Sequence, residues 1–136
     1  MERTLVLIKP DGVERRLVGQ IISIYERKGL EITALKMLKP TREIAEEHYL
    51  EHKDKPFFME LVNFITRGKV CAMIIAGDNV VRMVRKINGA TDPAEAEPGS
   101  IRGQFALSKS ENIVHASDSA ESAEREIKIW FPELGS

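Results

Sequence analysis

An α+β fold is what this sequence predicts, and three observations carry the prediction. Four short apolar runs, Leu5–Ile8, Leu30–Leu38, Val70–Ala76 and Ile113–Ala116, read as strands. The segments between them keep helical spacing or none at all. Their order is β-α-β-α-α-β-α-loop-β-α, and removal of the extra helices leaves βαββαβ. That is the ferredoxin-like pattern: a four-stranded antiparallel sheet with helices packed on it, here with a long irregular loop before the last strand. A doubly wound parallel sheet is the alternative, and four strands are few for it.

Each element has a local reason. Leu5–Ile8 is a continuous apolar run halted by Pro10-Asp11-Gly12, which reads as a turn. The proline holds Lys9 in extended backbone, so Lys9 should project from the strand's end. Val18, Ile21, Ile22 and Tyr25 keep helical spacing up to Gly29. Leu30–Leu38 alternates and is stopped by Pro40. Thr41 is placed to cap a helix over Thr41–Leu50. Pro56-Phe57-Phe58 begins another, and Asn79 is expected to cap a third, which Gly89 ends. Ala90–Ser110 holds two prolines and little periodicity, and a long irregular segment inside a compact domain is commonly functional. Ser119–Phe131 is the last helix, with Ala123, Ile127, Trp130 and Phe131 as its apolar stripe.

Composition narrows the function. At 136 residues the chain is read as a single domain over 1–136, long enough to bury roughly two-thirds of its unfolded surface. It is 43% hydrophobic and 30% charged, which suits a globular protein rather than a disordered one. Net charge is −1, so no global field attracts nucleic acid or an anionic membrane, and any anion site must be a local cation cluster. Cys71, the single cysteine, lies in an apolar run and is expected to be buried and inert. No stretch has a signal-peptide layout or the ~18 apolar residues of a membrane span, and a cytoplasmic location is expected.

Candidate chemistry gathers at element ends. Neither G-x-x-x-x-G-K-[S/T] nor G-x-G-x-x-G occurs. His48 and His52 stand four apart on a predicted helix, a spacing that could hold a metal, but without a third ligand they read as surface residues. Lys9 ends a strand, Arg85 lies in a last helical turn that favours a cation in any case, and Arg102 lies in the irregular loop. His115 closes the last strand just before Ser117-Asp118-Ser119 opens a helix. Glu126 falls three residues after Ala123 and four before Trp130, so it borders the buried stripe and needs a partner. His115 is the natural one. A carboxylate on one imidazole nitrogen fixes the tautomer and leaves the other free to attack.

Six blocks carry a resemblance: Lys9-Pro-Asp-Gly-Val, His48-Tyr49, Lys55-Pro-Phe57-Phe58, Gly89-Ala-Thr91-Asp-Pro93, Pro98-Gly-Ser-Ile-Arg102-Gly and Asn112-Ile-Val-His115-Ala-Ser-Asp-Ser. In order and spacing the chain resembles the nucleoside diphosphate kinases over Glu2 to Phe131. The resemblance implies a phosphorylated histidine at His115, oriented by Glu126 with Ser117 as a supporting hydroxyl. It implies that Lys9, Tyr49, Arg85, Thr91, Arg102 and Asn112 hold phosphates and sugar hydroxyls, and that the base stacks on Phe57. It further implies Mg²⁺ carried on the nucleotide phosphates, nucleoside tri- and diphosphates as substrates, and a homotetramer or homohexamer. Two departures stand out. Ala116 replaces a usual glycine after the histidine, which is tolerable if its φ is negative. Lys109 stands opposite Phe57 where many relatives place an apolar residue, and its alkyl stem can cover a base.

Two other functions remain in view. Ferredoxin-like domains also bind RNA on an open sheet, but the aromatic strand pattern and positive charge for that are missing. A catalytically dead interaction protein would be expected to lack His115 or Lys9.

Overall fold

The computed structural model describes residues 1–134; the last two residues of the domain expected over 1–136 lie outside the described residues. Strands β1 (Glu2–Ile8), β2 (Glu31–Leu38), β3 (Val70–Gly77) and β4 (Val114–Ala116) form one antiparallel sheet in the order β2-β3-β1-β4. This is the sheet the βαββαβ reading expects. The helices are α1 (Pro10–Glu14), α2 (Val18–Arg27), α3 (Arg42–His48), α4 (Phe58–Ile65), α5 (Val80–Asn88), α6 (Ile101–Phe105) and α7 (Ala120–Trp130), with short 3₁₀ turns at Leu50–His52 and Pro132–Leu134. None is long and apolar enough to cross a membrane.

Continuous apolar strands need cover on both faces, and they have it. Leu5, Val6, Leu7 and Ile8 of β1 are all fully buried. Val6 and Ile8 share a core with Ile21 and Tyr25 of α2 and Val80 and Val84 of α5. Leu5 and Leu7 share the opposite core with Ala45 of α3, Val62 and Ile65 of α4, and Ile127 and Trp130 of α7. The two crossover helices of the βαββαβ unit therefore lie on one face together with Ile101 of α6, and α3, α4 and α7 cover the other. Burying each such aliphatic side chain stabilises the fold by roughly 1.5–3 kcal/mol. Cys71 is buried as expected, and burial pushes its thiol up.

Three local expectations need correction. Pro10-Asp11-Gly12 is the start of α1, not a simple turn: Pro10 takes the first helical position, where its missing N–H costs nothing. The irregular segment contains α6, capped by Ser100, whose hydroxyl accepts from the Gly103 N–H at 3.0 Å. Asn79 precedes α5 in left-handed backbone, with φ 55°, and its side chain makes no cap. The first turn is satisfied from outside instead, the Val81 N–H donating to Glu2 Oε1 at 2.9 Å. Thr41 caps α3 as expected, accepting from the Ile44 amide, and Ser119, read as the first residue of the last helix, instead caps α7 by accepting from the Ser122 amide.

Candidate active site

Strand alternation decides where His115 points. In β4, Val114 and Ala116 are buried in the α2/α5 core, so His115 between them faces the layer of α3 and α7. Ala116 is not among the residues with positive φ, so its methyl is accommodated. Opposite His115, Glu126 of α7 is 5% exposed, on the edge of the stripe that buries Ala123 and Trp130. Its Oε1 lies 2.9 Å from His115 Nε2 and accepts from the Ser117 hydroxyl at 2.8 Å. A carboxylate only accepts, so Nε2 carries the proton and the lone pair is on Nδ1. Ser117 is itself fixed, accepting the Leu5 N–H at 3.2 Å.

His48 is not the surface residue its sequence suggested. It is 4% exposed, because Ala45 and His48, three apart, share the inward face of α3. Its ring meets the His115 ring edge-on, centroids 4.4 Å apart. Burial first, and then the neighbouring His115, hold His48 well below its ordinary range. Among the described residues His48, His115 and Glu126 bring ligand-type atoms within 4.8 Å of one another. His48 Nδ1, however, accepts the Trp130 indole N–H at 3.0 Å, which leaves the proton on Nε2 and no lone pair for an ion. His52 is half-buried and packs beside Phe57, ring centroids 5.4 Å apart.

A cleft of about 860 Å³ opens over these rings. Lys9, Tyr49, Phe57, Arg85, Thr91, Arg102 and Asn112 line it with His115 and Glu126, so every residue expected at the site is there except Ser117, which lies behind Glu126. Lys9 comes from the end of β1, Arg85 from the last turn of α5 and Arg102 from α6. They repel one another. Burial lowers Lys9 to about 8, with Arg102 adding to the effect and Asp11 opposing it. Burial also lowers Arg102, and Arg85 adds to it. Cations held together against their own repulsion form an anion site.

The polar side chains around them are already tied down. Lys9 Nζ donates to Asn112 Oδ1 at 2.5 Å, and Asn112 Nδ2 to the Thr91 carbonyl at 3.3 Å. Arg102 is far from a solvated loop arginine: its guanidinium donates to the carbonyls of Gly89 at 2.6 Å, Val114 at 2.7 Å and Asn112 at 3.3 Å. Tyr49 is pushed up by burial and then by Glu126, so it remains a neutral hydroxyl. Phe57 is 42% exposed at the start of α4, an open aromatic face on the cleft. Lys109 lines the same cleft, its Nζ 3.8 Å from Asp92 Oδ2.

A cleft in which Lys9, Arg85 and Arg102 gather beside one oriented imidazole and an exposed aromatic face fits a phosphorylated aromatic ligand. Comparison with known proteins agrees with that chemistry. The family model described as nucleoside diphosphate kinase matches residues 2–135. The chain is 59% identical over 131 residues to a nucleoside diphosphate kinase of Saccharolobus islandicus, covering 96% of this chain and 95% of that one. It is 58% identical over 133 residues to one from Archaeoglobus fulgidus, covering 98% and 88%. Among solved structures, the apo nucleoside diphosphate kinase of Encephalitozoon cuniculi superposes with a TM-score of 0.94 at 45% identity, over 96% of this chain and 89% of that one. A nucleoside diphosphate kinase family protein from Babesia bovis gives 0.95 at 49% identity, over 98% and 90%. On sequence and fold alike, this chain belongs to the nucleoside diphosphate kinase family.

Proposed function

We infer that the protein transfers the γ-phosphate of a nucleoside triphosphate to a nucleoside diphosphate through phosphohistidine on His115. The observation that carries this reading is the 2.9 Å contact between Glu126 Oε1 and His115 Nε2, which leaves Nδ1 as the nucleophile. In the first half-reaction the Nδ1 lone pair attacks the γ-phosphorus, and the bond to the β-phosphate oxygen breaks. The diphosphate leaves with that electron pair. In the second, a terminal oxygen of the acceptor diphosphate attacks the same phosphorus, and the P–N electrons return to Nδ1. Positive charge builds on the imidazole as it is phosphorylated, and Glu126 is placed to stabilise it.

Phosphoryl transfer asks mainly for positioning and charge neutralisation. Lys9, Arg85 and Arg102 supply the charge, and guanidinium geometry suits phosphate oxygens. Asn112 and Thr91 offer polar groups beside them, and the neutral Tyr49 hydroxyl can donate to a transferring phosphate. The base stacks on Phe57, an interaction open to any base.

The residues fit Mg²⁺ carried on the nucleotide rather than in a protein cage. The compact cluster of His48, His115 and Glu126 is nitrogen-rich and internally bonded, whereas Mg²⁺ prefers oxygen ligands. Bound to the phosphates, the ion neutralises their charge. Self-association into a homotetramer or homohexamer is supported by the edge strand β2, which leaves Leu35 53% and Met37 47% exposed. Initial rates measured against both nucleotides test the function. Parallel double-reciprocal lines are expected for a phosphate held on the enzyme, and intersecting lines would rule that out.

A further inference from the structure

Asp11 has no part in the chemistry above, yet it is among the most deeply buried charged residues of the chain. It is the second residue of α1 and 2% exposed. Its Oδ2 accepts the backbone N–H of Ile113 at 3.0 Å, and its Oδ1 is buried without a hydrogen-bond partner among the described residues. Buried carboxylate oxygens ordinarily collect donors, so this placement works against stability and invites another explanation.

The residue it holds is unusual as well. Ile113 is β-branched and lies at φ 75°, in the left-handed region that such residues avoid. The Val114 N–H closes back onto the Asn112 carbonyl at 2.8 Å, making a tight three-residue turn of the strained hand. Such a conformation persists only when its surroundings over-determine it. Here the Lys9 N–H donates to the Ile113 carbonyl at 2.7 Å while Asp11 takes the Ile113 N–H. The side chain is wedged too. A Cβ on Gly12 would come 2.8 Å from Ile8 Cγ2 and 3.1 Å from Ile113 Cγ2, so only glycine lets α1 approach the turn this closely.

What the turn positions is the anion site. Asn112, immediately before Ile113, receives Lys9 Nζ on its side chain and Arg102 Nε on its carbonyl. His115 follows two residues after Ile113. The charges around the Lys9 ammonium are Asp11 on α1 and Arg102 on α6. The Asn112 amide oxygen, the neutral His48 and the Phe64 ring of α4, 5.5 Å away, lie beside it, and the Arg67 guanidinium stacks on the same ring at 4.7 Å. Asp11 favours the ammonium, and Arg102 opposes it.

We propose that Asp11 is a positioning residue of the phosphate site: its carboxylate clamps the Ile113 turn, and with it Asn112, and supplies the countercharge to the buried Lys9. The proposal rests on the reading of Lys9 as a phosphate ligand, and it is tested in two ways. Asp11→Asn preserves shape and an acceptor for the Ile113 N–H while removing the charge. In the intact enzyme this variant should shift the alkaline limb of kcat/KM down by about one pH unit. In a Lys9→Arg background, where the guanidinium stays charged, the same substitution should shift nothing. An unmoved limb in Asp11→Asn, or an equal shift in the Lys9→Arg background, would overturn the countercharge. Hydrogen exchange on the wild-type protein tests the clamp without any variant. The Ile113 amide should be protected as strongly as the amides of β1, and exchange at the rate of an open peptide would overturn it. Failure of the wild-type enzyme to form phosphohistidine would instead strike the proposed reaction and leave the Ile113 result standing.

Discussion

Trp130 donates its indole N–H to His48 Nδ1 at 3.0 Å, and this single bond governs the imidazole packed against His115. An indole can only donate, so His48 is fixed with its proton on Nε2 and stays neutral. A charged ring at that place would oppose the positive charge that the proposed phosphorylation builds on His115. The Trp130→Phe variant removes the donor and keeps most of the apolar volume. It should slow single-turnover phosphorylation of the protein by about tenfold, an effect within the usual range for proton-positioning groups. Stability should fall by about 1–3 kcal/mol because His48 Nδ1 loses its partner. Nucleoside diphosphate affinity should be unchanged, and a loss confined to affinity would refute this role for His48.

Glu126→Gln should lower kcat by about ten- to a thousandfold with little change in Tm, because an amide supports the imidazole poorly and can favour the wrong tautomer. Ser117 and His115 share the same Glu126 oxygen. Ser117→Ala should therefore cost much less in a Glu126→Gln background than alone, which a double-mutant cycle measures. Strict additivity would contradict a shared orienting network.

Lys9 gives a pH dependence with a definite sign. Its ammonium is lowered to about 8 from an ordinary 10.5, so the folded protein favours the neutral amine. That disfavour costs stability below pH 8 and is relieved as pH rises from about 8 towards 10.5. Phosphate binding needs the charged form. Above pH 8, then, nucleotide binding should weaken with pH and take up a proton. Calorimetry at pH 9 in two buffers of different ionisation enthalpy reads this directly, and a proton count of zero would place Lys9 outside the phosphate site.

Base selectivity should be low. Phe57 offers a ring face, and discrimination beyond ~100-fold would need hydrogen bonds to a base edge. Guanine, adenine, uracil and cytosine diphosphates should give comparable kcat/KM. Phe57→Ala should weaken all four by about 1–3 kcal/mol. Strict use of one base would contradict the stacking role.

Much of this architecture was legible because it depends on spacing. The four strands and the longer helices follow from apolar runs, helical spacing and the cap at Thr41. The pairing of Glu126 with His115 follows from a carboxylate sharing a helical row with Ala123 and Trp130. What escaped depends on contacts distant in sequence. Helices α1 and α6 are five residues each, contain glycine, and are below the length that propensity alone supports. Tertiary bonds such as Arg15 Nη1 to the Phe105 carbonyl, 2.7 Å, and the three carbonyls on Arg102 hold this region together. His48 reads as a surface residue until α7 brings Trp130 against it. Its spacing from Ala45 was the one available signal, and a single three-residue step is too short to establish a face.

The phosphate's position on the His115 ring is the most direct test of the account. Incubation with γ-labelled ATP should give an acid-labile label on His115, and ³¹P spectra of the intact phosphoenzyme should identify substitution at Nδ1, since Nε2 is committed to Glu126. Phosphate on Nε2, or label that persists in His115→Ala, would contradict it.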